Sequence, residues 1–141
     1  MEFNPLGVRF GKARLAFRVK FGQGHVLQLF EQDFDAGGFA WIDCCDAANS
    51  VVAFVRRARD GGGTVLVVCN FTPVPRPAYR VGVPVSGRWR ETLNSDAREY
   101  GGSGLGNLGG VQSDPVEAHG QPQSIALMLP PLGVLYLEPV A

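Results

Sequence analysis

The sequence predicts an all-β fold, an antiparallel sandwich of two sheets with about eight strands. The 141 residues include 19 glycines and 10 prolines although 45% of the chain is hydrophobic, so many short apolar segments are separated by turns. These segments are rich in β-branched and aromatic residues, as strands are. No segment shows a convincing helical period of apolar residues. Together these three observations favour two packed sheets over a helical fold.

The chain divides into an atypical amino-terminal segment, residues 1–29, and one β domain, residues 30–141. The first segment carries five basic residues and no acidic residue after Glu2. Within it, residues 15–21 alternate apolar and basic side chains, as a half-exposed strand does. Because chain termini often fray, we expect this segment to be poorly ordered or non-native. A basic arm that binds RNA is the alternative interpretation.

The first strands of the β domain include a predicted hairpin. Residues 39–43 form one strand and end in a turn. Residues 50–57 and 64–71 flank the sequence Arg-Asp-Gly-Gly-Gly at 59–63, which is typical of a hairpin loop, so these two strands should pair antiparallel. Residues 65–69 are continuously apolar, which predicts a strand that is buried on both faces at the centre of the core.

Prolines interrupt the chain before the remaining strands. Pro73, Pro75 and Pro77 exclude a central strand over residues 72–78, because each removes a backbone donor. The further predicted elements are strands at 79–83 and 87–93, a glycine-rich loop at 97–110, and a final pair of strands at 124–129 and 133–138. Glu91 falls on the apolar face of its strand, so the alternation does not decide the register there.

Charge and cysteine content exclude several functional classes. Lys plus Arg equal Asp plus Glu at 13 each, so no net field attracts nucleic acid or anionic lipid. No stretch approaches the roughly 20 apolar residues that span a bilayer, and no signal peptide is apparent. Cys44, Cys45 and Cys69 lack zinc-site spacing and are interpreted as reduced thiols. We expect a cytoplasmic protein without metal or cofactor, and without a nucleic-acid or membrane partner.

No arrangement of residues predicts catalysis. The glycines between 101 and 110 lack the Lys-Ser/Thr ending of a phosphate loop, and we expect a surface loop with positive φ angles instead. The aspartates lie in turns or beside glycine, where this residue normally bonds nearby backbone. His25 and His119 have no nucleophile motif beside them that could complete a triad. The sequence therefore predicts no catalytic residue.

Aromatic residues near side-chain amides are the one pattern that suggests a ligand. Sugar faces stack on aromatic rings, and sugar hydroxyls hydrogen-bond to amides. The candidate contacts are Tyr100, Asn107, Trp41 and Trp89, with Asn94 nearby in sequence. Packing in the core is the alternative for the two tryptophans, whereas Tyr100 lies in a predicted loop.

A series of motifs follows in order along the predicted β domain. They are Glu31–Asp35, Gly38–Asp43, Asn49–Val51, Val68–Arg76, Tyr79–Pro84, Gly87–Asp96, Tyr100–Asn107, His119–Gly120 and Leu129–Leu132. In this order they resemble the C-terminal all-β domain of bacterial glycogen branching enzymes, over about residues 30–139. The resemblance implies an amylase-type C-terminal β-sandwich packed against a (β/α)8 barrel, which cleaves an α-1,4-glucan and re-attaches the chain through an α-1,6 bond.

The same resemblance implies that this chain is not an enzyme by itself. The catalytic carboxylates of that family belong to the barrel, and none of the barrel's motifs is present here. We expect a non-catalytic fragment that stabilises such a barrel in glycogen biosynthesis, with the barrel and α-glucan as its candidate partners. The alternative is a free-standing glucan-binding module. An RNA-binding role for residues 1–28 ranks last, because the balanced charge provides no wider footprint.

Overall fold

The computed structural model describes residues 36–59 and 63–141, and this part of the chain is all β. Its strands are β1 (Phe39–Asp46), β2 (Val51–Arg57), β3 (Thr64–Asn70), β4 (Arg76–Val83), β5 (Arg88–Asn94), β6 (Gly110–Gln112), β7 (Gln123–Leu129) and β8 (Val134–Pro139). Six of them form one antiparallel sheet in the order β1-β2-β3-β8-β5-β6, and β4 pairs with β7 in a second. The predicted sandwich of about eight strands is confirmed. The atypical segment at 1–29 lies outside the described residues.

The hairpin predicted from the sequence Arg-Asp-Gly-Gly-Gly at 59–63 is present. β2 and β3 pair antiparallel, from Val51 opposite Asn70 to Arg57 opposite Thr64. β3 lies inside the larger sheet, and its residues 65–68 are all buried, with exposed fractions of 6% or less. The continuous apolar run therefore predicts the burial of both strand faces correctly.

The core lies between the two sheets. β7 contributes Ile125, Leu127 and Leu129, which are fully buried at alternate positions, as a strand with one face in the core requires. From the larger sheet, Leu66 and Leu135 belong to the same cluster. Burying each of these side chains contributes roughly 1.5–3 kcal/mol. These buried apolar side chains thus stabilise the packing of the small sheet on the large one.

The last two strands do not pair with each other, contrary to the prediction. β7 pairs with β4 in the small sheet, whereas β8 lies between β3 and β5 in the large one. Both strands alternate buried and less buried residues, and that pattern is compatible with either arrangement. The segment at 130–133 carries the chain from one sheet to the other, so the two strands contribute to opposite sides of the core.

Asn70 holds this crossover in place. Its side chain is 2% exposed, and its Nδ2 donates to the backbone carbonyls of Val74 and Pro130 at 2.9 and 3.0 Å. Its Oδ1 accepts from the backbone N–H of Thr72 at 3.0 Å. One buried amide thereby ties the proline-rich connection between β3 and β4 to the connection between β7 and β8. A polar group this deep is stable only because its donors and acceptors are used.

The strand register is irregular at two places, one in β5 and one in β4. Glu91 lies opposite Leu137 and Leu93 lies opposite Tyr136, so Thr92 is an extra residue in β5, and the alternation breaks there. β4 begins at residue 76, three residues before the prediction, with Pro77 inside it and a register shift up to Tyr79. Proline is tolerated in this position because both strands of a two-stranded sheet are edge strands.

A hydrogen bond between side chains links the two sheets near the end of β1. The hydroxyl of Tyr79 on β4 donates to Oδ2 of Asp46 at 2.6 Å, and Asn49 donates to both oxygens of the same carboxylate. These donors, Tyr79 first, hold the pKa of Asp46 below its ordinary value. A carboxyl group with a depressed folded-state pKa contributes stability above its unfolded pKa of about 3.9, and this contribution is lost as the pH falls through the folded pKa.

Tyr79→Phe should therefore destabilise the protein at neutral pH and have a smaller effect in acid. The substitution removes the donor that favours ionised Asp46, so its cost is present only while that carboxylate is charged. Urea unfolding midpoints of the wild type and the variant, compared at pH 7 and at about pH 2, where the ordinary Asp carboxyl is protonated, measure the difference. A gap that is equally large at both pH values would show that Asp46 ionisation is not involved.

Candidate functional site

Three aromatic side chains meet on the outer face of the larger sheet, at its β1 edge. Phe39 and Trp41 are two residues apart on β1 and so share a face, and Trp41 lies opposite Phe54 on β2. Their ring centroids are 5.0, 5.3 and 5.8 Å apart, with edge-to-face geometry for both contacts of Trp41. Trp41 remains 54% exposed. We call Phe39, Trp41 and Phe54 the aromatic cluster.

Tyr100 lies beside a cleft elsewhere on the same sheet. It ends the short 3-10 helix Arg98–Tyr100 after β5 and is 45% exposed. The cleft has a volume of about 250 Å³. It is lined by Glu91, Thr92, Leu93, Asn94, Ala97, Glu99 and Tyr100. An aromatic ring beside carboxylates and an amide can offer both a stacking surface and partners for hydroxyl groups. We call this the Tyr100 cleft.

The glycine-rich loop that follows is built around Asp96. Its carboxylate accepts from the backbone N–H of Ser103 at 3.0 Å and from the Ser103 hydroxyl, and these bonds lower the pKa of Asp96. Gly101 and Gly104 have φ angles of 83° and 84°, so the predicted positive φ angles of this loop are present. Aspartates bond nearby backbone, as predicted, at Asp43, Asp46 and Asp96.

Asn107 is a structural residue rather than a surface contact. Only 8% of it is exposed, and its Nδ2 donates to Oε2 of Glu91 at 2.7 Å and to the carbonyl of Met128 at 3.2 Å. Its Oδ1 accepts from the N–H of Met128 at 2.8 Å. The side chain thus bonds the backbone of β7 as a neighbouring strand would. This geometry favours a structural role for Asn107, because the amide is used inside the fold, and the glucan contact at this residue stays a prediction.

Trp89 is likewise a core residue. Its side chain has no exposed area, and its Nε1 donates to the carbonyl of Val85 at 3.1 Å. A fully buried ring has no face on which a sugar could stack. The structure therefore favours the packing alternative for Trp89, and the glucan contact at this residue stays a prediction. Of the four candidates, Trp41 and Tyr100 alone present their rings at the surface.

Sequence reasoning missed the partners of both exposed rings. Phe39 and Phe54 were not candidates, although the i, i+2 spacing of Phe39 and Trp41 and the pairing of β1 with β2 could have identified the cluster. For Glu91, in the wall of the Tyr100 cleft, the sequence indicates only that the strand register is undecided. Its position depends on the extra residue in β5, for which the sequence has no distinctive signal.

The described residues contain no arrangement typical of a metal site. Among them, no three His, Cys, Asp or Glu side chains are close enough to hold an ion. His119 instead joins structural elements: its Nδ1 accepts from the N–H of Gly82 at 3.1 Å, and its Nε2 lies 3.3 Å from Oδ2 of Asp43. In residues 36–59 and 63–141, no helix has the length and apolar character needed to cross a membrane.

Comparison with known proteins gives consistent matches. The family model described as alpha amylase, C-terminal all-beta domain, matches residues 41–140. The 1,4-alpha-glucan branching enzyme GlgB of Aromatoleum aromaticum is 63% identical over 79% of this chain and 17% of that protein. The GlgB enzymes of Burkholderia thailandensis and Aquifex aeolicus are 57% and 54% identical, over 76% and 78% of this chain and 13% and 18% of theirs.

The chain thus spans less than a fifth of the length of the curated relatives it matches. The match confirms the resemblance drawn from the ordered motifs. It also confirms that the chain corresponds to the C-terminal accessory domain of these enzymes, because the matching family model describes a C-terminal all-β domain. From its fold and from these matches, the chain belongs to the family of alpha-amylase C-terminal all-β domains, in the form found in 1,4-α-glucan branching enzymes.

Proposed function

We propose that this chain stabilises the catalytic barrel of a 1,4-α-glucan branching enzyme in glycogen biosynthesis, and that the aromatic cluster belongs to the surface that meets the barrel. The observation that carries the proposal is the position of the cluster. Phe39 is the first residue of β1, so the chain enters the β domain beside the aromatic cluster. Three free cysteines support the cytoplasmic setting that this role requires.

The chemistry of the cluster suits a contact between domains. Aromatic residues are enriched in the buried centres of protein interfaces, and tryptophan is prominent among residues whose truncation costs 2 kcal/mol or more. Phe39 and Phe54 hold the ring of Trp41 through edge contacts, so little side-chain entropy remains to be lost when a partner covers it. A preorganised and half-exposed tryptophan is a suitable anchor for the barrel.

A chimera tests this proposal. In the Aromatoleum aromaticum enzyme, residues 30–141 of this chain would replace the matching segment, and branching activity would be followed during heating. We expect Trp41→Ser to shorten the half-life of the chimera about tenfold, as the loss of about 1.4 kcal/mol of interface energy implies. In the isolated 141-residue chain, truncation of Trp41 removes only its edge contacts with Phe39 and Phe54, which are worth about 1 kcal/mol, so the loss in the chimera should exceed this amount.

Leu108→Ser is the matched control for this experiment. Leu108 is fully exposed and precedes β6, at the opposite edge of the sheet from the aromatic cluster. The proposal requires this second variant to leave the half-life of the chimera unchanged. If Trp41→Ser and Leu108→Ser shortened the half-life equally, or if neither did, the aromatic cluster would not be the docking surface.

Glucan binding at the Tyr100 cleft is the second candidate function. The observation that favours it is the combination of a ring that is 45% exposed with Glu91, Asn94 and Glu99 in one cleft. The Asn94 amide is already oriented: Nδ2 donates to the carbonyl of Leu105 at 2.7 Å, and Oδ1 accepts from the N–H of Asp96 at 2.9 Å. A fixed wall of this kind costs little entropy when a sugar unit binds.

Titration of the isolated chain with maltoheptaose distinguishes this candidate from a purely structural role. Isothermal titration calorimetry should give saturable heat for the wild type, no heat for Tyr100→Ala, and unchanged heat for Trp41→Ser. The aromatic ring accounts for this loss, because stacking on it supplies the apolar part of sugar binding. A flat response from the wild type would remove glucan from the function of the cleft.

A further inference from the structure

Cys44 and Cys45 are adjacent in sequence, and both are exposed. Consecutive side chains of a regular strand point to opposite faces. Here Asp43 lies opposite Ala53 and Asp46 lies opposite Val51, so three steps along β1 match two steps along β2. This bulge brings the two sulfur atoms within 3.7 Å of each other.

Cys69 provides an internal contrast. It lies in β3, inside the larger sheet, and burial raises the pKa of its thiol to about 11. A thiol reacts with disulfides as the thiolate, so Cys69 should be the unreactive cysteine of the three. Cys44 and Cys45 are both exposed instead, and the hydrogen bond between their side chains, more than burial, raises the pKa of the Cys44 thiol.

We propose that Cys44 and Cys45 form a reversible thiol switch, in which a low-molecular-weight disulfide such as oxidised glutathione converts the pair to a vicinal disulfide. In the first step, the thiolate of one cysteine attacks the small disulfide and releases one small thiol. In the second, the neighbouring cysteine attacks the protein-bound sulfur of this mixed disulfide and releases the other. The two protein thiols lose two protons and two electrons, and the small disulfide takes them up and becomes two thiols.

Adjacency makes the product labile. The Cα atoms of neighbouring residues are about 3.8 Å apart across a trans peptide, whereas disulfides normally join Cα atoms about 4.4–6.8 Å apart. Ring closure therefore strains the peptide between Cys44 and Cys45. Strained and exposed disulfides have high reduction potentials and are typical of regulatory sites rather than structural ones. Reduced glutathione should accordingly restore the pair.

The position of the pair connects its redox state to the contact between the sheets. The residue before it, Asp43, contacts His119 at 3.3 Å, and the residue after it, Asp46, accepts from Tyr79 at 2.6 Å. Bending the peptide between the cysteines displaces both carboxylates. Oxidation should therefore weaken the links that join β1 to the small sheet and lower the thermal stability of the domain.

Alkylation and mass spectrometry test the switch on the purified chain. After incubation with oxidised glutathione, we expect the wild type to lose two hydrogen atoms. When the oxidised chain is then unfolded in denaturant and alkylated, Cys44 and Cys45 should resist the reagent and Cys69 should be labelled. In Cys44→Ser and Cys45→Ser the resolving thiol is absent. Glutathione adducts on the remaining cysteine should therefore be at least ten times more abundant than in the wild type. Added reduced glutathione should reverse the wild-type product.

Several results would overturn the proposal. They are glutathione adducts as abundant in the wild type as in the serine variants, disulfides between two chains, reaction at Cys69 first, or no reaction at all. Because both residues are exposed, the serine variants should fold normally, and matching thermal unfolding of all three reduced proteins verifies this. A lower melting temperature of the oxidised wild type, reversed by reduction, would support the effect on the contact between the sheets.

Discussion

Trp89→Ala is expected to lower the free energy of unfolding by about 3–5 kcal/mol, as the loss of a large buried aromatic side chain typically does. Trp89 is the largest of the fully buried side chains in the described part of the chain, and it belongs to the cluster between the two sheets. Its removal leaves a cavity beside Val111 and deprives the carbonyl of Val85 of its donor. A loss of this size is a large fraction of the roughly 5–15 kcal/mol by which native domains are stable.

Trp41→Ala is the matched control. It removes the same side chain from the outer face of the same sheet, where 54% is exposed. We expect a cost of about 1 kcal/mol, which corresponds to its edge contacts with Phe39 and Phe54. Denaturant unfolding followed by circular dichroism measures both variants. Similar losses for the two would contradict the assignment of Trp89 to the core and Trp41 to the surface.

Asn107→Ala should cost about 3 kcal/mol, because one change removes three hydrogen bonds. The N–H and carbonyl of Met128 on β7 lose their partner, and Oε2 of Glu91 keeps only the backbone N–H of residue 107. Each unpaired buried group costs about 1–3 kcal/mol, and partial access of water to the loop reduces the sum. Since Asn107 ties the glycine-rich loop to two strands, this loss should also loosen the Tyr100 cleft.

Leu108→Ala, at the next residue, should change stability by about 0.5 kcal/mol or less, since Leu108 is fully exposed. The double variant Asn107→Ala with Glu91→Gln should lose less than the sum of the two single variants, because both substitutions weaken the same contact. Equal unfolding midpoints for Asn107→Ala and the wild type would show that the loop is held by other contacts.

The pairing within the larger sheet was partly predictable because local patterns decide it. The Asp-Gly-Gly loop and the apolar run in β3 act over a few residues and predict the β2–β3 hairpin and the burial of β3. The partners of β7 and β8 depend instead on Asn70, which bonds Pro130 across 60 residues of sequence. No local sequence pattern predicts a contact between residues so far apart in the chain, so the assignment of these strands to different sheets could not be predicted.

The candidate site shows the same limit. Arg88 and Arg90 flank Trp89 and are exposed, so the alternation in β5 already favours an inward tryptophan. Trp41 has apolar neighbours on both sides, and the sequence pattern cannot decide which face of β1 points to the core. Asn107 lies in a loop without periodicity, and its burial follows only from its bonds to β5 and β7.

We propose that this chain acts as an accessory domain and that branching chemistry resides in a separate catalytic barrel. An iodine-glucan assay with the purified 141-residue chain tests it most directly, with the chimera described above as the positive control. We expect no change in iodine staining of a linear α-glucan with the isolated chain and progressive loss of staining with the chimera. Branching by the isolated chain would contradict it.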